Sequence, residues 1–386
     1  MLQTDILPRT AADFFAGIGL VRYAFERQGW QDMYALDYSE QKARMYAFHF
    51  GRSHYDVQDI HTLTAAHIPT VTLAHASFPC TDTSVAGGRK GLAGRESSAF
   101  WGFTRLLSEM GDTRPPLILL ENVEGFLTSN NGQDIVAALE TLSDLGYSLD
   151  MLLVDAAHFV PQSRVRLFIT GVLHVQPHDI FEQERLLQMS PDVRPEKMQK
   201  VIRRLSHIRW SLAELPKLPT RLSSLAELLD LTEPWWEPQR SVYLYNQMHH
   251  AHQVRVQALM QQHTWSYGTA FRRMRQRDGV KQSTAEIRTD GIAGCLRTPK
   301  GGSARQILFR AGCGQFDARL LNARECARLM GADQYKLSET LSLNDALFGF
   351  GDAVCVPVVE WITVHAINPR YDQLTDLFAG TALLRM

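Results

Sequence analysis

Cys80 directly follows the short apolar run 71–76, in the segment Ser77-Phe78-Pro79-Cys80-Thr81-Asp82-Thr83-Ser84. A thiol at the end of a strand is placed to act as a nucleophile. A cysteine taken at random is more often a small buried hydrophobe, but the residues after it favour chemistry. Gly87, Gly88, Gly91 and Gly94 alternate with Arg89, Lys90 and Arg95. Such a glycine-rich, cationic loop suits closure over a phosphate-bearing molecule. Glu121 ends the wholly apolar run 117–120. Burial there raises a carboxyl pKa unless the group is paired, so Glu121 is either an acid at neutral pH or a structural cap. Arg164 and Arg166 flank Val165. In a strand both arginines point to one face, where they can hold a carbonyl oxygen or a phosphate.

A second constellation reads as a nucleoside pocket. The first apolar run ends in Asp13-Phe14-Phe15-Ala16-Gly17-Ile18-Gly19-Leu20. Glycines let backbone turn tightly and approach a ligand. A lone Gly-x-Gly is weak, but Asp37-Tyr38 follows one strand-helix-strand unit later. That acid can accept from a ribose diol, and the ring beside it can stack on a base. Asp59-Ile60 adds another acid and a flat apolar contact. The chain has no phosphate-binding loop of the Gly-x4-Gly-Lys-Ser/Thr type.

The elements that must position these groups alternate in the first 170 residues. Runs 9–15, 34–36, 71–76 and 117–120 read as strands, and 149–154 with 165–172 as a final strand pair. Segments 20–28, 40–50, 99–110 and 135–145 carry apolar residues at helical spacing. This order predicts an α/β fold, a doubly wound, Rossmann-like parallel sheet with its ligands beyond the carboxyl ends of the strands. From about residue 174 to 290 the periodicity dissolves among Pro, Trp and Gln clusters, with helical stretches at 195–205 and 249–263. Regular character returns at 322–330 and 354–367. The expected division is a catalytic domain over 1–173, a smaller and less regular domain over 174–321, and a returning segment over 322–386.

Charge separates the same regions. The 386 residues are 45% hydrophobic and 21% charged, with a net charge of −1, a globular composition rather than a disordered or fibrous one. Residues 161–330 hold 26 Lys and Arg against 15 Asp and Glu, an excess of 11 positive charges. The remainder holds 14 against 26. The basic block also contains Trp210, Trp235, Trp236 and Trp265. Basic residues interleaved with aromatics suggest a surface for a polyanion, although a solvated face has the same composition. Cys80, Cys295, Cys313, Cys326 and Cys355 form no Cys-x-x-Cys pair, so neither a disulfide framework nor a metal site is expected. No run approaches the roughly 18 apolar residues of a membrane span. With no secretory leader visible in residues 1–9, a cytoplasmic monomer is expected.

Taken in order, these motifs resemble the cytosine-5 DNA methyltransferases of restriction-modification systems. The resemblance rests on residues 13–20, Phe78-Pro79-Cys80, Glu121-Asn122-Val123, Gln162-x-Arg164-x-Arg166, Arg297-Thr298-Pro299 before Gly301-Gly302, residues 324–331, and Gly351-x-x-Val354. It implies a cofactor, S-adenosyl-L-methionine, held by Phe15, Gly17, Ile18, Gly19, Asp37, Tyr38, Asp59, Ile60, Pro79, Asp352 and Ala353. It implies catalysis by Cys80, Glu121, Arg164 and Arg166: the thiolate adds to C6 of a flipped cytosine, the acid serves N3 and an arginine serves O2. Contacts to double-stranded DNA would come from Ser84, Arg89, Lys90, Arg95, Arg297 and Lys300, with a cognate endonuclease as a separate partner. Two positions depart from the family pattern. Thr81 stands where Gln is usual. Asp352 stands where Asn is usual and puts an acid near the cofactor's methionine end. A tRNA cytosine methyltransferase and a non-catalytic DNA-binding module share many of these residues. The long variable stretch 174–290 favours a sequence-reading DNA enzyme over the former, and the intact catalytic set argues against the latter.

Overall fold

The computed structural model describes residues 7–79, 98–277, 280–298 and 305–383. Among them, β1 (Thr10–Phe14), β2 (Gln31–Asp37), β3 (Tyr55–Val57), β4 (Leu73–Ala76), β5 (Leu117–Val123), β6 (Ser148–Asp155) and β7 (Val165–Val172) form one sheet, in the order β3-β2-β1-β4-β5-β7-β6. Helices α1 (Leu20–Arg27), α2 (Glu40–Phe50), α3 (Ser98–Glu109) and α4 (Gln133–Asp144) make crossovers between its strands. Helix α4 buries Ile135, Ala138, Leu139 and Leu142, the spacing of one helical face. In β5 the residues from Leu117 to Asn122 are buried without alternation, as a central strand covered on both faces requires.

One strand departs from the expected parallel sheet. β7 runs antiparallel to both neighbours, β5 and β6. No helix long enough for a crossover separates β6 from β7, only the one-turn segment Ala156–His158, and a short link returns a strand antiparallel.

Apolar layers cover the two faces of the sheet. On one side Phe14, Phe100, Phe103, Leu139 and Ile169 share a cluster with Leu187 and Met198 of α5 (Ile180–Met189) and α6 (Glu196–Arg204). Trp210 is fully buried in that cluster and donates its indole N–H to Leu205 O. The expected boundary at residue 174 is therefore not where the packing changes, because 180–212 still sits on the large sheet. The smaller domain has a separate core of Leu244, Met248, Val256, Ala270, Ala285, Ile307 and Phe309. Its elements are α7 (Pro238–Asn246), α8 (His250–Met260), β8 (Ser266–Arg277), β9 (Val280–Arg288), β10 (Ile307–Gly312) and β11 (Gln315–Leu320). The strands form an antiparallel sheet ordered β11-β10-β8-β9. Cys313 and Gly314 join β10 to β11, with φ of 50° and 77°; two left-handed residues give the turn that matches strand twist. This regular sheet is a finding that the broken sequence pattern did not show.

The chain then returns to the large domain through α9 (Ala323–Leu329), α10 (Leu343–Asp352), α11 (Val356–Ile362) and α12 (Asn368–Leu383). Val356, Val359 and Ile362 join Val21, Phe25 and Trp30 in the second apolar layer. By length and composition the helical run Leu343–Gly380 could cross a membrane, but 67% of its most apolar window is buried inside the protein.

Candidate active site

β1, β2, β4 and β5 are mutually parallel, so their carboxyl ends lie along one edge. The glycine loop leaves β1 there. Phe15, Gly17 and Gly19 all take left-handed backbone, with φ of 64°, 57° and 81°. Phe15 is the costly one, because a side chain disfavours that conformation. Neighbours hold it. Gly17 donates its N–H to Asp37 Oδ2 at 3.0 Å, and Tyr55 Oη donates to Gly17 O at 3.0 Å. Tyr335 Oη, from the returning segment, donates to Ile18 O at 2.7 Å. At Gly19 a Cβ would come within 2.6 Å of Phe50 and 2.7 Å of Tyr46, so only glycine fits.

Asp37 is buried at the end of β2 and also accepts from Ser39 N at 2.9 Å. Burial pushes its carboxyl above the usual range, against the pull of Lys42 and the two backbone donors. Its oxygens thus already hold the loop, and a ribose would share them. The Tyr38 ring next to it is exposed. Asp59 accepts from His61 N at 3.0 Å and caps the turn that presents buried Ile60. Fixed loop amides, an acid on the second strand and flanking aromatic and aliphatic surfaces fit a nucleoside-bearing cofactor.

Toward β5 the site becomes ionic. Glu121 is buried, but not alone: Arg166 Nε stands 3.0 Å from its Oε1. The register pairs Val123 with Arg166 and Glu121 with Phe168, so the two side chains are diagonal neighbours on one face. Asn122 donates to Phe78 O at 3.3 Å and steadies the segment entering Pro79. Arg164 faces the same way but is consumed by structure. Its guanidinium donates to Leu296 O at 3.0 Å, Gly351 O at 3.2 Å and Ala353 O at 2.5 Å. The expectation that Arg164 binds a substrate carbonyl or phosphate is corrected by these partners. Gln162 does similar work, donating to Leu329 O at 2.7 Å and accepting from Leu296 N at 2.9 Å. The Gln-x-Arg-x-Arg motif thus splits into two staples and one arginine that meets the acid.

Cys80, Ser84, Arg89, Lys90, Arg95 and Lys300 lie outside the described residues. Arg297 is exposed, next to Gly351, where a Cβ would meet the Arg297 carbonyl carbon at 2.6 Å. The aromatic part of the basic surface is also corrected. Trp210 is core, and Trp235 and Trp265 flank the guanidinium of Arg310 at 4.7 and 4.1 Å. The exposed basic feature is instead the β8–β9 ribbon, with Arg273, Met274, Arg275 and Lys281 outward.

Two site residues escaped the sequence reading. Cys295 Sγ lies 3.3 Å from Arg164 Nη1 and 3.8 Å from Arg166 Nη2. Burial alone would raise its thiol pKa, but the two guanidiniums bring it below the ordinary value. Lys42 lies in the first turn of α2 and pairs with Asp352 at 2.8 Å. Its one sequence signal was a lysine five positions after Asp37.

Comparison with known proteins agrees with this geometry. The family described as C-5 cytosine-specific DNA methylase matches residues 10–368. Type II methyltransferase M.BanI of Aneurinibacillus aneurinilyticus is 33% identical over 172 residues, 43% of this chain and 39% of that protein. The chain therefore spans only about two fifths of the length of the first curated relatives it matches. The DNA-cytosine methyltransferase of Escherichia coli (strain K12) is 25% identical over 415 residues, 95% of this chain and 78% of that one. Among solved structures, Entamoeba histolytica methyltransferase EhMeth superposes with a TM-score of 0.63 at 13% identity, over 95% of this chain and 98% of that one; this likeness shows the fold.

Proposed function

The chain belongs to the C-5 cytosine-specific DNA methylases, and on that premise we propose that it methylates carbon 5 of a cytosine flipped out of duplex DNA at one short, fixed sequence. The observation that carries the reading is the Glu121–Arg166 pair on the strand edge that also holds the Phe15–Gly19 loop. When bound, S-adenosylmethionine supplies an electrophilic methyl group. The protein's task is to make C5 nucleophilic. Cys80, as thiolate, adds to C6 and breaks the C5–C6 double bond, so electron density moves to C5. Glu121 holds a proton at N3 and Arg166 donates to O2, which stabilises charge that develops only during that addition. After methyl transfer, loss of the C5 proton restores the double bond and expels the Cys80 sulfur. The Arg166 guanidinium, held by Glu121, is oriented before the base arrives.

The β8–β9 ribbon supports a DNA substrate. Its outward arginines would supply phosphate affinity, while base edges met by the same domain would supply sequence choice. The Type II names of the relatives favour a restriction endonuclease that acts separately on the same sequence. A monomer in the cytoplasm is the matching state. The test is expression in a methylation-free bacterial host, followed by bisulfite sequencing of its genome. Protected cytosines in one short motif are expected. Protection found only in tRNA would replace DNA as the substrate, and protection in neither would remove the activity.

A further inference from the structure

Cys295 lies on the segment that follows β9, and that segment is pinned without its thiol. Ala293 donates its N–H to Pro161 O at 2.7 Å, and Ser163 N donates to Ala293 O at 2.9 Å. Gln306 Nε2 donates to Cys295 O at 3.3 Å, and Gln162 accepts from the next amide, that of Leu296. The half-buried sulfur is thereby set between two guanidiniums, 3.3 Å from Arg164 Nη1 and 3.8 Å from Arg166 Nη2. Arg164 has three carbonyl partners of its own and stays in place without the sulfur. Arg166 is held differently. Its Nε meets Glu121 at 3.0 Å, its Nη1 donates to Val165 O at 2.8 Å, and its Nη2 faces Cys295. The two arginines also repel each other, since the charge of Arg166 disfavours that of Arg164 while Cys295 and Glu121 favour it. A sulfur between two like charges, on a backbone that does not depend on it, calls for a role in the site.

We propose that Cys295 is a positioning residue for methyl transfer: its sulfur is a second anchor of Arg166, holding the guanidinium toward O2 of the flipped cytosine while Glu121 is engaged with N3. The inference rests on the functional reading above, in which Arg166 serves O2 and Glu121 serves N3. Glu121 alone is a poor anchor at the decisive moment. The carboxylate that orients Arg166 is the one that must share a proton with the base, and as its charge is used there its pull on the guanidinium falls. The sulfur is not spent on the base. Burial alone would push its thiol up, but Arg164, Arg166 and Arg297 bring it below the ordinary value. The anionic form faces both arginines, whereas the neutral thiol donates to Leu296 O at 3.3 Å. The hold on Arg166 therefore strengthens as pH rises through the ionisation of Cys295.

The experiment compares the full native chain with Cys295→Ala and Cys295→Ser in single-turnover methyl transfer. One duplex holds the site that bisulfite sequencing identifies, and a second carries 2-thiocytosine at the target, which replaces O2 with a weaker acceptor. On cytosine, Cys295→Ala is expected to slow transfer about tenfold and Cys295→Ser about threefold. On 2-thiocytosine either variant should slow it less than about twofold, because the contact that the sulfur supports is already weakened. Affinity for S-adenosylhomocysteine, read by calorimetry, should change less than about twofold in both. A second readout needs no turnover. The rate of Cys295 alkylation, followed across pH by mass spectrometry, should have a midpoint about one unit higher in Arg166→Met. Equal losses on the two targets, unchanged rates on cytosine, or a midpoint that does not move in Arg166→Met would each overturn the proposal. If the native chain methylates no duplex, the functional reading itself fails and takes the proposal with it. Losses confined to the cytosine target, on a chain that binds cofactor normally, support both.

Discussion

In the large-sheet domain Asp37, Glu121 and Arg164 are sunk and matched, whereas in the four-stranded domain Arg273 and Arg275 of the ribbon stand in solvent. Asp37 is 4% exposed with both oxygens bonded to backbone N–H groups, and Arg164 is 3% exposed with its donors on three carbonyls. Arg273, Met274 and Arg275 are exposed on β8, and Arg275 makes a surface pairing with Glu286 at 3.0 Å. On the proposed function the difference follows from what each region does. Bond-making chemistry needs donors fixed before the substrate arrives. A face that tracks phosphates needs long, hydrated side chains, and surface ion pairs are weak enough to exchange for a new partner.

Substitutions in the two domains should therefore fail in different ways. The largest effect is expected at the thiol. Cys80→Ala should show no detectable methyl transfer while still binding cofactor and DNA, and 5-fluorocytosine in the target should trap an adduct that maps to Cys80. Measurable turnover by that variant would end the covalent mechanism. Glu121→Gln should lower kcat at least about 100-fold with cofactor affinity unchanged, as read by single-turnover assays and calorimetry. Next comes Arg164→Met, which leaves Leu296, Gly351 and Ala353 carbonyls without their donor. A loss of about 3 kcal/mol of stability is expected, measured by denaturant unfolding. An unchanged midpoint would mean that the staples are ornamental.

A buried acid beneath the loop offers a pH test of the same contrast. Asp32 is buried, and its carboxyl is pushed from 3.8 to about 7 by burial and then by the charge of Asp13, against Arg22. The folded state keeps this proton over a range where the unfolded chain has lost it. The stabilisation is thus complete below 3.8 and is lost as pH rises through about 7. Asp32→Asn should accordingly gain on the native chain by about 4 kcal/mol between pH 4 and pH 8, seen as converging and then crossing Tm values. The smallest effect belongs to the ribbon. Arg273→Ala should leave Tm unchanged, cost about 1 kcal/mol of DNA affinity and reduce the salt slope by about one. A ribbon variant that unfolds the protein would erase the distinction between the two domains.

The same contrast explains what could be read from the chain. Glu121 was legible because the run before it, 117–120, is continuously apolar, and the Gly17-Ile18-Gly19 loop because glycines follow the first strand directly. The roles of Arg164 and Arg166 were not separable, since their different fates depend on Leu296, Gly351 and Ala353 reaching one arginine and Glu121 the other. β8 was invisible because arginines occupy 272, 273, 275 and 277, which hides the two-residue alternation of a strand. The tryptophans misled because side chains that stack on guanidiniums within a fold have the composition of ones that meet a polyanion.

The hydrogen bond from Tyr335 to the Ile18 carbonyl spans 317 residues, and it sets a timetable. While the chain is being made, its first strands and helices emerge and can pair, since their contacts are near in sequence. The Ile18 carbonyl in the loop after β1 takes its donor from Tyr335, in a much later segment, and α11, which covers α1, follows later still. A nascent chain would therefore carry the glycine loop through 317 further residues before its Tyr335 donor is made. The cradle at the glycine loop is thus closed by a distant part of the chain rather than by its own strand-helix unit.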